Sequence, residues 1–533
     1  MNNFKILNIT MILTLFMSCG SGSETGTPEE PNSQTISILH TNDIHGNYLP
    51  FTTTSGSATS QTGDPGRDTY ISFEKDAEIG GFAVLATAVK EIRSIRGKDN
   101  VLLFDSGDAF SDDLLGNLTE GEAVVQMMKK LEYDYMALGN HDFDYGRGRT
   151  EELMKIAGFP FGGANITDKR TGKSIFGNPY IIREYQDTRI AILALGYHNT
   201  HLTGNPDNMK DLEFRRGDEV IKQYLPELKQ QADIIVILSH QGTAIDRLTA
   251  KKFKDIDLII GGHSHDVIDK PEKINSTYIV QSMSDAAVLG EIRLTISEKV
   301  LTGIEAENHF LWLSDFEKNP EMETLINSLR EPHRAHLEEN IATATAVIDR
   351  QYKSESTFEK LVGNLLREEY DADISFLPGV GYGISLYGDV TRENIYRLIP
   401  HSPKLATLSF TGEQVKALLE QTAANQKPMD KYEVVGGLLQ SSGVSYTLDY
   451  GKALGKRISE VKVNGEELQS EREYRIVTHT GMLTGLHRYD ELGRGGNIQK
   501  KDIQLNEFTL EKFKELGVIS IPKNMGEVTI KGK

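Results

Sequence analysis

The sequence predicts an α/β protein with two domains, in which a layered α/β sandwich is joined by a helix to a second, smaller α/β domain. The chain has 533 residues, more than one hydrophobic core usually serves. From Ile36 onward, short aliphatic and β-branched runs alternate with longer segments of helical period. Near residues 319–340 a charged amphipathic segment replaces this alternation. We therefore expect domains at 35–318 and 349–533, with a linker helix and connector at 319–348.

The elements of the first domain follow from this alternation. The predicted strands lie at 36–40, 101–105, 135–138, 190–195, 234–239 and 258–260. The predicted helices between them lie at 81–96, 120–131, 150–157 and 218–231. Residues 51–68 are dense in Thr, Ser and Gly, which indicates a surface insertion. Alternation of this kind places functional residues in the loops that follow the strands.

The connector and the second domain show a similar but shorter pattern. Residues 320–339 contain few turn signals, and we expect one charged helix there. The predicted helices that follow lie at 358–370 and 412–425. The predicted strands lie at 374–376, 406–410 and 444–448. This second alternation predicts another α/β unit.

The amino-terminal segment has the pattern of an export signal. An apolar stretch at residues 6–17 follows Lys5 and ends one small residue before Cys19, the only cysteine in the sequence. This predicts a signal peptide at 1–19 that is too short to span a membrane. Cys19 resembles the lipidated cysteine of bacterial lipoproteins, and residues 20–34 have the composition of a flexible tether. We expect an exported lipoprotein without disulfides, membrane-anchored only through its lipid and facing the periplasm or the cell surface.

The charge of the chain limits its partners. Its 77 acidic and 58 basic residues give a formal net charge of −19. A surface of this charge repels polyanions, so we expect no binding of nucleic acid. An anionic substrate then needs local positive charge, which metal ions supply. We expect a small-molecule partner, bound by a monomeric chain.

Potential metal ligands and polar side chains of similar chemistry follow five of the predicted strands. In chain order they are Asp43, His45, Asp108, Asn140, His141, His240, His263 and His265. Loops at one edge of an α/β sheet converge, so residues more than two hundred positions apart can share a site. Seven such nitrogen and oxygen ligands are what two metal ions need if one carboxylate bridges them and water fills the open positions. Imidazole with carboxylate suits Zn²⁺, Mn²⁺, Fe or Co²⁺ better than Ca²⁺.

The order of these residues resembles a known family. The blocks Asp-x-His, Gly-Asp, Gly-Asn-His-Asp, Ser-His and Gly-His-x-His resemble those of the calcineurin-like metallophosphoesterases. In particular, the chain resembles their two-domain branch of secreted 5′-nucleotidases and UDP-sugar hydrolases. The resemblance implies that one metal is held by Asp43, His45, Asp108 and His265. It implies that the other is held by Asp108, Asn140, His240 and His263, so that Asp108 is the bridge.

The same resemblance implies a catalytic pair beside the metals. The histidine after the metal-bound asparagine, here His141, would face the phosphoryl oxygens and stabilise the transition state. Asp144 would fix its orientation and tautomer and increase its positive charge.

The second domain resembles the substrate-binding domain of 5′-nucleotidases but departs from it at two loops. Residues 378–383 lack the family's Asn and Arg, and residues 481–496 replace its Phe-containing loop. Possible replacements for the base-stacking rings are Tyr382, Tyr387 and Tyr489. Possible anion contacts are His487, Arg488 and Arg494. The first loop also resembles that of the sulfur-oxidising thiosulfohydrolases.

These features predict an exported, dinuclear-metal-dependent phosphohydrolase that acts on nucleotides and releases phosphate outside the cytoplasm. One alternative is an enzyme that hydrolyses a thiosulfohydrolase-type sulfur ester or a non-nucleotide phosphate ester. Another is a binding lipoprotein that kept the fold and lost catalysis. The complete ligand set, together with His141 and Asp144, favours an enzyme.

Overall fold

The computed structural model describes residues 33–53, 76–111, 113–177, 179–380, 383–400 and 403–532. The predicted signal peptide, Cys19 and nearly all of the predicted tether lie outside these ranges, as does most of the predicted insertion. The first strand begins at Ser33, so the tether prediction extends two residues too far. Among the described residues, no helix is both long and apolar enough to cross a membrane.

The first domain alternates strands and helices. Its strands are β1 (Ser33–Thr41), β2 (Phe51–Thr53), β3 (Ala77–Ile79), β4 (Val101–Asp105), β5 (Tyr135–Ala137), β6 (Phe161–Gly162), β7 (Ile166–Asp168), β8 (Tyr180–Tyr185), β9 (Thr188–Leu195), β10 (Leu212–Phe214), β11 (Ile234–Ser239), β12 (Leu258–Gly261), β13 (Glu272–Ile274), β14 (Thr277–Val280), β15 (Val288–Ser297) and β16 (Val300–Phe310). Its helices are α1 (Phe82–Arg96), α2 (Leu114–Thr119), α3 (Glu122–Leu131), α4 (Arg147–Ala157), α5 (Gly217–Gln231) and α6 (Thr243–Lys252).

Two six-stranded sheets form the centre of this domain. Their strand orders are β16-β15-β1-β4-β5-β6 and β13-β14-β12-β11-β9-β8. Strands β1, β4, β5 and β6 are parallel, and so are β9, β11, β12 and β14. The carboxyl ends of these parallel strands carry the loops with the predicted site residues.

Alternate side chains explain the layering. Ile38 and Phe104 belong to the apolar cluster that β9, β11 and β12 share, which lies between the sheets. Leu39 follows Ile38 in β1, and Leu103 precedes Phe104 in β4. Both pack with residues of α1 and α3 on the opposite face of the sheet. The domain is therefore an α/β sandwich with helices outside two central sheets, as the sequence predicts.

Two predicted helices differ from the structure. The helix predicted at 120–131 is present as α3 but begins two residues later, because Glu120 and Gly121 have left-handed φ angles of 47° and 82° and separate it from α2, which the sequence pattern did not predict. The helix predicted at 320–339 is wrong as one element: it consists of α7 (Pro320–Arg330), a 3₁₀ turn and α8 (Arg334–Leu337). Pro332, which cannot donate a backbone hydrogen bond, lies in the break.

The described residues of the second domain form three sheets. Its strands are β17 (Asn340–Ile348), β18 (Ile374–Leu377), β19 (Leu386–Thr391), β20 (Lys404–Thr411), β21 (Gln440–Ser442), β22 (Val444–Asp449), β23 (Ile458–Val463), β24 (Glu466–Glu467), β25 (Glu473–His479), β26 (Gly496–Gln504), β27 (Val518–Ile519) and β28 (Val528–Lys531). Its helices are α9 (Thr357–Glu369), α10 (Arg392–Leu398), α11 (Gly412–Gln426), α12 (Thr480–Leu483) and α13 (Leu505–Leu516). The sheet orders are β19-β17-β27, β21-β18-β25-β20-β26 and β24-β23-β22-β28.

Apolar packing continues from one domain into the other. Ile79 and Val288 of the first domain belong to the same buried cluster as Phe358 and Leu398 of the second. Burial of apolar surface favours this association. The second domain is consequently held against the edge of the sandwich that carries the site.

Candidate metal centre

Asp43, His45 and His265 form the first group of potential ligands. One side-chain atom from each lies within 4.8 Å of the others. Nε2 of His45 is 3.1 Å from Nε2 of His265, and Nε2 of His265 is 3.3 Å from Oδ1 of Asp43. All three residues are buried. The geometry fits one divalent ion with nitrogen and oxygen ligands.

Asp108, His240 and His263 form the second group, again with one atom each within 4.8 Å. Nε2 of His240 is 3.0 Å from Oδ2 of Asp108. Nδ1 of His240 is 2.7 Å from the carbonyl oxygen of Ser106, so Nδ1 is the protonated nitrogen that donates to this carbonyl. The lone pair of Nε2 is then directed at the centre, which is the usual arrangement of a metal-binding histidine.

Asn140 adds an independent indication of a ligand. Its Oδ1 is buried and accepts no hydrogen bond from any described residue. An amide oxygen without a partner in the protein interior costs free energy, which coordination of a cation would recover. Nε2 of His240 also lies 4.0 Å from Oδ1 of Asp43, which places the two groups side by side. The residues present therefore fit two metal ions.

The charges at the site match those that metal binding requires. Burial opposes ionisation of Asp43, but attraction to His265 and His240 lowers its pKa to about 2. Burial likewise raises the pKa of Asp108, but His240 and His141 outweigh it and hold the pKa well below its usual value. Burial and repulsion from His240 lower the pKa of His263 to about 3. Both carboxylates are thus ionised and His263 is neutral at pH 7, as ligands must be. Burial opposes protonation of His240, but without a metal Asp108 and Asp43 outweigh burial and raise its pKa to about 9, so that metal binding at its Nε2 would release a proton.

The backbone at the site is strained. Five of the seven potential ligands have positive φ: Asp43 (50°), His45 (48°), Asp108 (56°), His263 (73°) and His265 (53°). Such conformations cost on the order of 1–3 kcal/mol each and concentrate at functional sites. Hydrogen bonds hold them here, for example from the backbone N–H of Asp43 to the Gly107 carbonyl at 2.9 Å. The sequence pattern does not predict these positive φ angles.

His141 and Asp144 lie beside the second group. Nδ1 of His141 is 3.0 Å from Oδ2 of Asp144. The backbone N–H of His141 donates to Oδ1 of Asp108 at 2.7 Å. His141 begins a 3₁₀ turn, His141–Phe143, and both members of the pair line a cavity of about 980 Å³ between the two domains. The pair is thus positioned between the metal ligands and the space open to a substrate.

Of the predicted substrate contacts that lie among the described residues of the second domain, His487 is the one placed on this cavity. Burial, and repulsion from His141 and Arg350, lower the pKa of His487 to about 4, so the ring is neutral at pH 7. Gly436 permits this placement, because a Cβ there would lie 2.7 Å from the imidazole.

The other predicted contacts are placed elsewhere. Tyr489 is completely buried and its hydroxyl donates to Gly437 O at 3.0 Å, so it is a core residue and not a stacking ring. Tyr387 is exposed on β19 and does not line the cavity. Arg488 pairs with Glu433, and Arg494 with Glu491. Tyr382 lies outside the described residues. The short helical turns of residues 480–494 direct Tyr489 inward.

Sequence reasoning missed several cavity residues of the second domain. Arg350, His479 and Lys500 all line the cavity. Arg350 donates to Glu359 at 2.5 Å and is fixed by that pair. These residues come from separate elements and belong to no motif, so only the folded chain brings them together.

Comparison with known proteins identifies both domains. Residues 36–267 match the family model described as calcineurin-like phosphoesterase, and residues 335–494 match that of the 5′-nucleotidase C-terminal domain. The chain is a metal-dependent phosphoester hydrolase of the calcineurin-like class. With its second domain, it belongs to the two-domain 5′-nucleotidase family, which uses a dinuclear divalent metal site.

Individual relatives agree with this placement. The chain is 25% identical to the protein UshA of Escherichia coli, over 98% of this chain and 100% of UshA. It is 27% identical to the trifunctional nucleotide phosphoesterase protein YfkN of Bacillus subtilis, over 83% of this chain but only 33% of that longer protein.

Solved structures show the same fold. The sulfate thiohydrolase SoxB of Thermus thermophilus has a TM-score of 0.85 at 22% identity, over 95% of this chain and 98% of SoxB. A 5′-nucleotidase precursor from Thermus thermophilus has a TM-score of 0.81 at 23% identity, over 94% of this chain and 100% of that protein.

Proposed function

We propose that this chain hydrolyses nucleotides to nucleoside and phosphate at a dinuclear metal site between its two domains. The observation that carries the proposal is the unpartnered Oδ1 of Asn140 beside two buried ligand groups, next to the His141–Asp144 pair on the interdomain cavity. The names of two relatives, a nucleotide phosphoesterase and a 5′-nucleotidase, favour nucleotides as the substrate class.

In this proposal Asp108 would be a ligand of both ions. The first ion would be held by Asp43, His45, Asp108 and His265, and the second by Asp108, Asn140, His240 and His263. Supporting this, Asp108 interacts electrostatically with His45 of the first group as well as with His240 of the second. When bound, the ions supply positive charge that activates the attacking water and polarises the phosphoester.

The protein's own contribution to the chemistry is the His141–Asp144 pair. Nδ1 of His141 donates a hydrogen bond to Asp144, and the carboxylate stabilises the imidazolium form, in which Nε2 on the other side of the ring also carries a hydrogen. The Nε2–H of His141 then donates to the phosphoryl oxygens as negative charge develops on them. A preorganised donor of this kind stabilises the transition state more than the ground state.

The cavity has room for a substrate with a bulky leaving group, but few aromatic rings line it. Its volume of about 980 Å³ is at the upper end for small-molecule sites. The described aromatic lining residues are Tyr145, Phe358 and Tyr396. Phe358 is completely buried, and the hydroxyls of Tyr145 and Tyr396 are bonded to Asn117 and Glu507. We infer weaker discrimination among bases than a pair of free stacking rings would give.

A second candidate is hydrolysis of a sulfur ester. It is favoured by the resemblance of residues 378–383 to the thiosulfohydrolase loop. Either enzyme would act outside the cytoplasm as a monomer anchored through lipidated Cys19, with domains at 35–318 and 349–533.

The specificity is tested with purified chain loaded with Mn²⁺, Zn²⁺ or Co²⁺. Phosphate release is measured from nucleoside mono-, di- and triphosphates, cyclic nucleotides, UDP-sugars, sugar phosphates and p-nitrophenyl phosphate. We expect activity on AMP, with a kcat/KM for p-nitrophenyl phosphate within about tenfold of that for AMP. Tenfold is roughly 1.4 kcal/mol, about one base-stacking contact.

The Asp108→Ala variant, assayed in parallel, gives the background from contaminating phosphatases. A preference of a thousandfold or more for one nucleotide would show that the cavity contains a selective base site. Turnover of a sulfur ester with no release from any phosphate would favour the second candidate and exclude nucleotide hydrolysis.

A further inference from the structure

A side chain of the second domain reaches the loop that carries Asp43 and His45. Arg397 lies in the last turn of α10, a helix whose start is fixed by a capping box between Thr391 and Asn394. Its side chain crosses the domain boundary, and the residue is only 4% exposed. A guanidinium group removed from water in this way needs acceptors for its N–H groups.

The first domain provides those acceptors just after the ligands. Nε of Arg397 donates to Oδ1 of Asn47 at 2.8 Å, and Nη2 donates to the Leu49 carbonyl at 2.8 Å. Nη1 is 3.3 Å from the Pro50 carbonyl. One second-domain residue thus fixes three positions of the segment that follows His45.

Asn47 connects Arg397 to the ligands. Its Nδ2 donates to Oδ1 of Asp285 at 2.8 Å, and the backbone N–H of Asp285 donates to the carbonyl of Asp43 at 2.8 Å. Asn47 Nδ2 also lies 3.5 Å from the carbonyl of His45. Two side chains therefore separate the guanidinium from the backbone of a proposed metal ligand.

The loop has a physical need for such support. Asp43, His45 and Gly46 all have positive φ, between 48° and 67°. Strained conformations persist only where surrounding contacts determine them. Next to Arg397, Glu393 of the same helix pairs with Arg330 of α7 at 2.7 Å and accepts from the hydroxyl of Tyr48, which anchors α10 against the loop.

We propose that Arg397 is a positioning residue for the dinuclear site. Docking of the second domain, through Arg397 and Asn47, holds the Asp43–His45 loop in its metal-binding conformation. The role rests on the proposed function, because it assumes that Asp43 and His45 bind a metal. It makes the second domain part of the metal site as well as of the substrate cavity.

The test uses the full chain with Arg397→Gln, Arg397→Lys and a control, Arg392→Gln. Arg392 lies on the same helix but pairs with Glu339 at 2.6 Å, away from the loop. Mn²⁺ binding to metal-free protein is measured by calorimetry, with circular dichroism as the check on folding. Arg397→Gln should weaken one of the two sites about tenfold, the lower range for lost outer-shell partners. Arg397→Lys should give an intermediate loss, and Arg392→Gln none.

Kinetics separate positioning from general damage. The reduced kcat of the Arg397 variants should return with excess Mn²⁺, while KM stays unchanged. Asn47→Ala should show the same metal-dependent loss, and its combination with Arg397→Lys should be less than additive, because both remove one connection. If Arg397→Gln fails to fold, the comparison of Asn47→Ala with Arg397→Lys still tests the positioning role of Arg397.

Two different failures are distinguishable. Binding of fewer than two Mn²⁺ ions by the unaltered chain would refute the proposed dinuclear site. The role of Arg397 alone would be overturned if the unaltered chain has two normal sites and one of two further results is found. The first is equal Mn²⁺ affinity in the folded Arg397 and Arg392 variants. The second is additive effects of the Asn47 and Arg397 changes.

Discussion

Replacing Asp108 by alanine is expected to remove both metal ions and reduce phosphate release to background. Asp108 is buried, ionised and 3.0 Å from Nε2 of His240, and it is the carboxylate that we assign to both ions. Metal ions supply several kcal/mol of transition-state stabilisation, so the rate should fall by a factor on the order of 10³ or more. Plasma mass spectrometry should find well under one equivalent of metal per chain.

Asp105→Asn is the matched control for this experiment. Asp105 is equally buried and three positions away, but it bonds Thr41 Oγ1 at 2.6 Å and the Gly107 N–H at 2.8 Å instead of lying among the potential ligands. Burial raises its pKa well above the usual value, and an amide resembles the protonated acid in shape. The control should keep its metals, whereas retention of both metals by Asp108→Ala with near-normal turnover would disprove the shared-ligand assignment.

Replacing His141 by alanine is expected to give the second largest effect, with a different signature. Loss of one preorganised donor to developing negative charge typically lowers kcat by about 10²–10³. Because His141 is assigned to the substrate, metal content should stay at the level of the unaltered chain. Saturating kinetics and metal analysis of the same preparation measure both quantities.

Asp144→Asn provides the graded comparison. An asparagine oxygen can still accept from Nδ1 of His141 but carries no charge, so a smaller fall in kcat is expected than for His141→Ala. Loss of metal together with activity in His141→Ala would place His141 among the metal ligands instead.

The fold was predictable where a local pattern decides the structure. Buried strands such as β4 and β11 are predominantly apolar runs, and the potential ligands follow them within a few residues. The hairpin of β15 and β16 was missed, because mixed polar residues in β16 weaken the strand pattern. The single linker helix was overpredicted because the amphipathic pattern runs across Pro332 and hides its effect.

The site was predictable only on the side built from motifs. The potential ligands meet because parallel strands carry their following loops to one edge of the sandwich. The inward turn of Tyr489 depends on the fold of its loop, which residue type does not reveal. The contact of Arg397 with the first domain could not be predicted from the sequence either, since its partner Asn47 is 350 positions away.

The most direct measurement of the central claim is a metal titration of the enzyme's own activity. Metal-free chain receives Mn²⁺ stepwise at a protein concentration well above the dissociation constants, and phosphate release from AMP is followed at each step. We predict no activity without metal and a maximum at two equivalents per chain, since both ions are required. Full activity in the metal-free chain, or a plateau at one equivalent, would contradict a dinuclear phosphohydrolase.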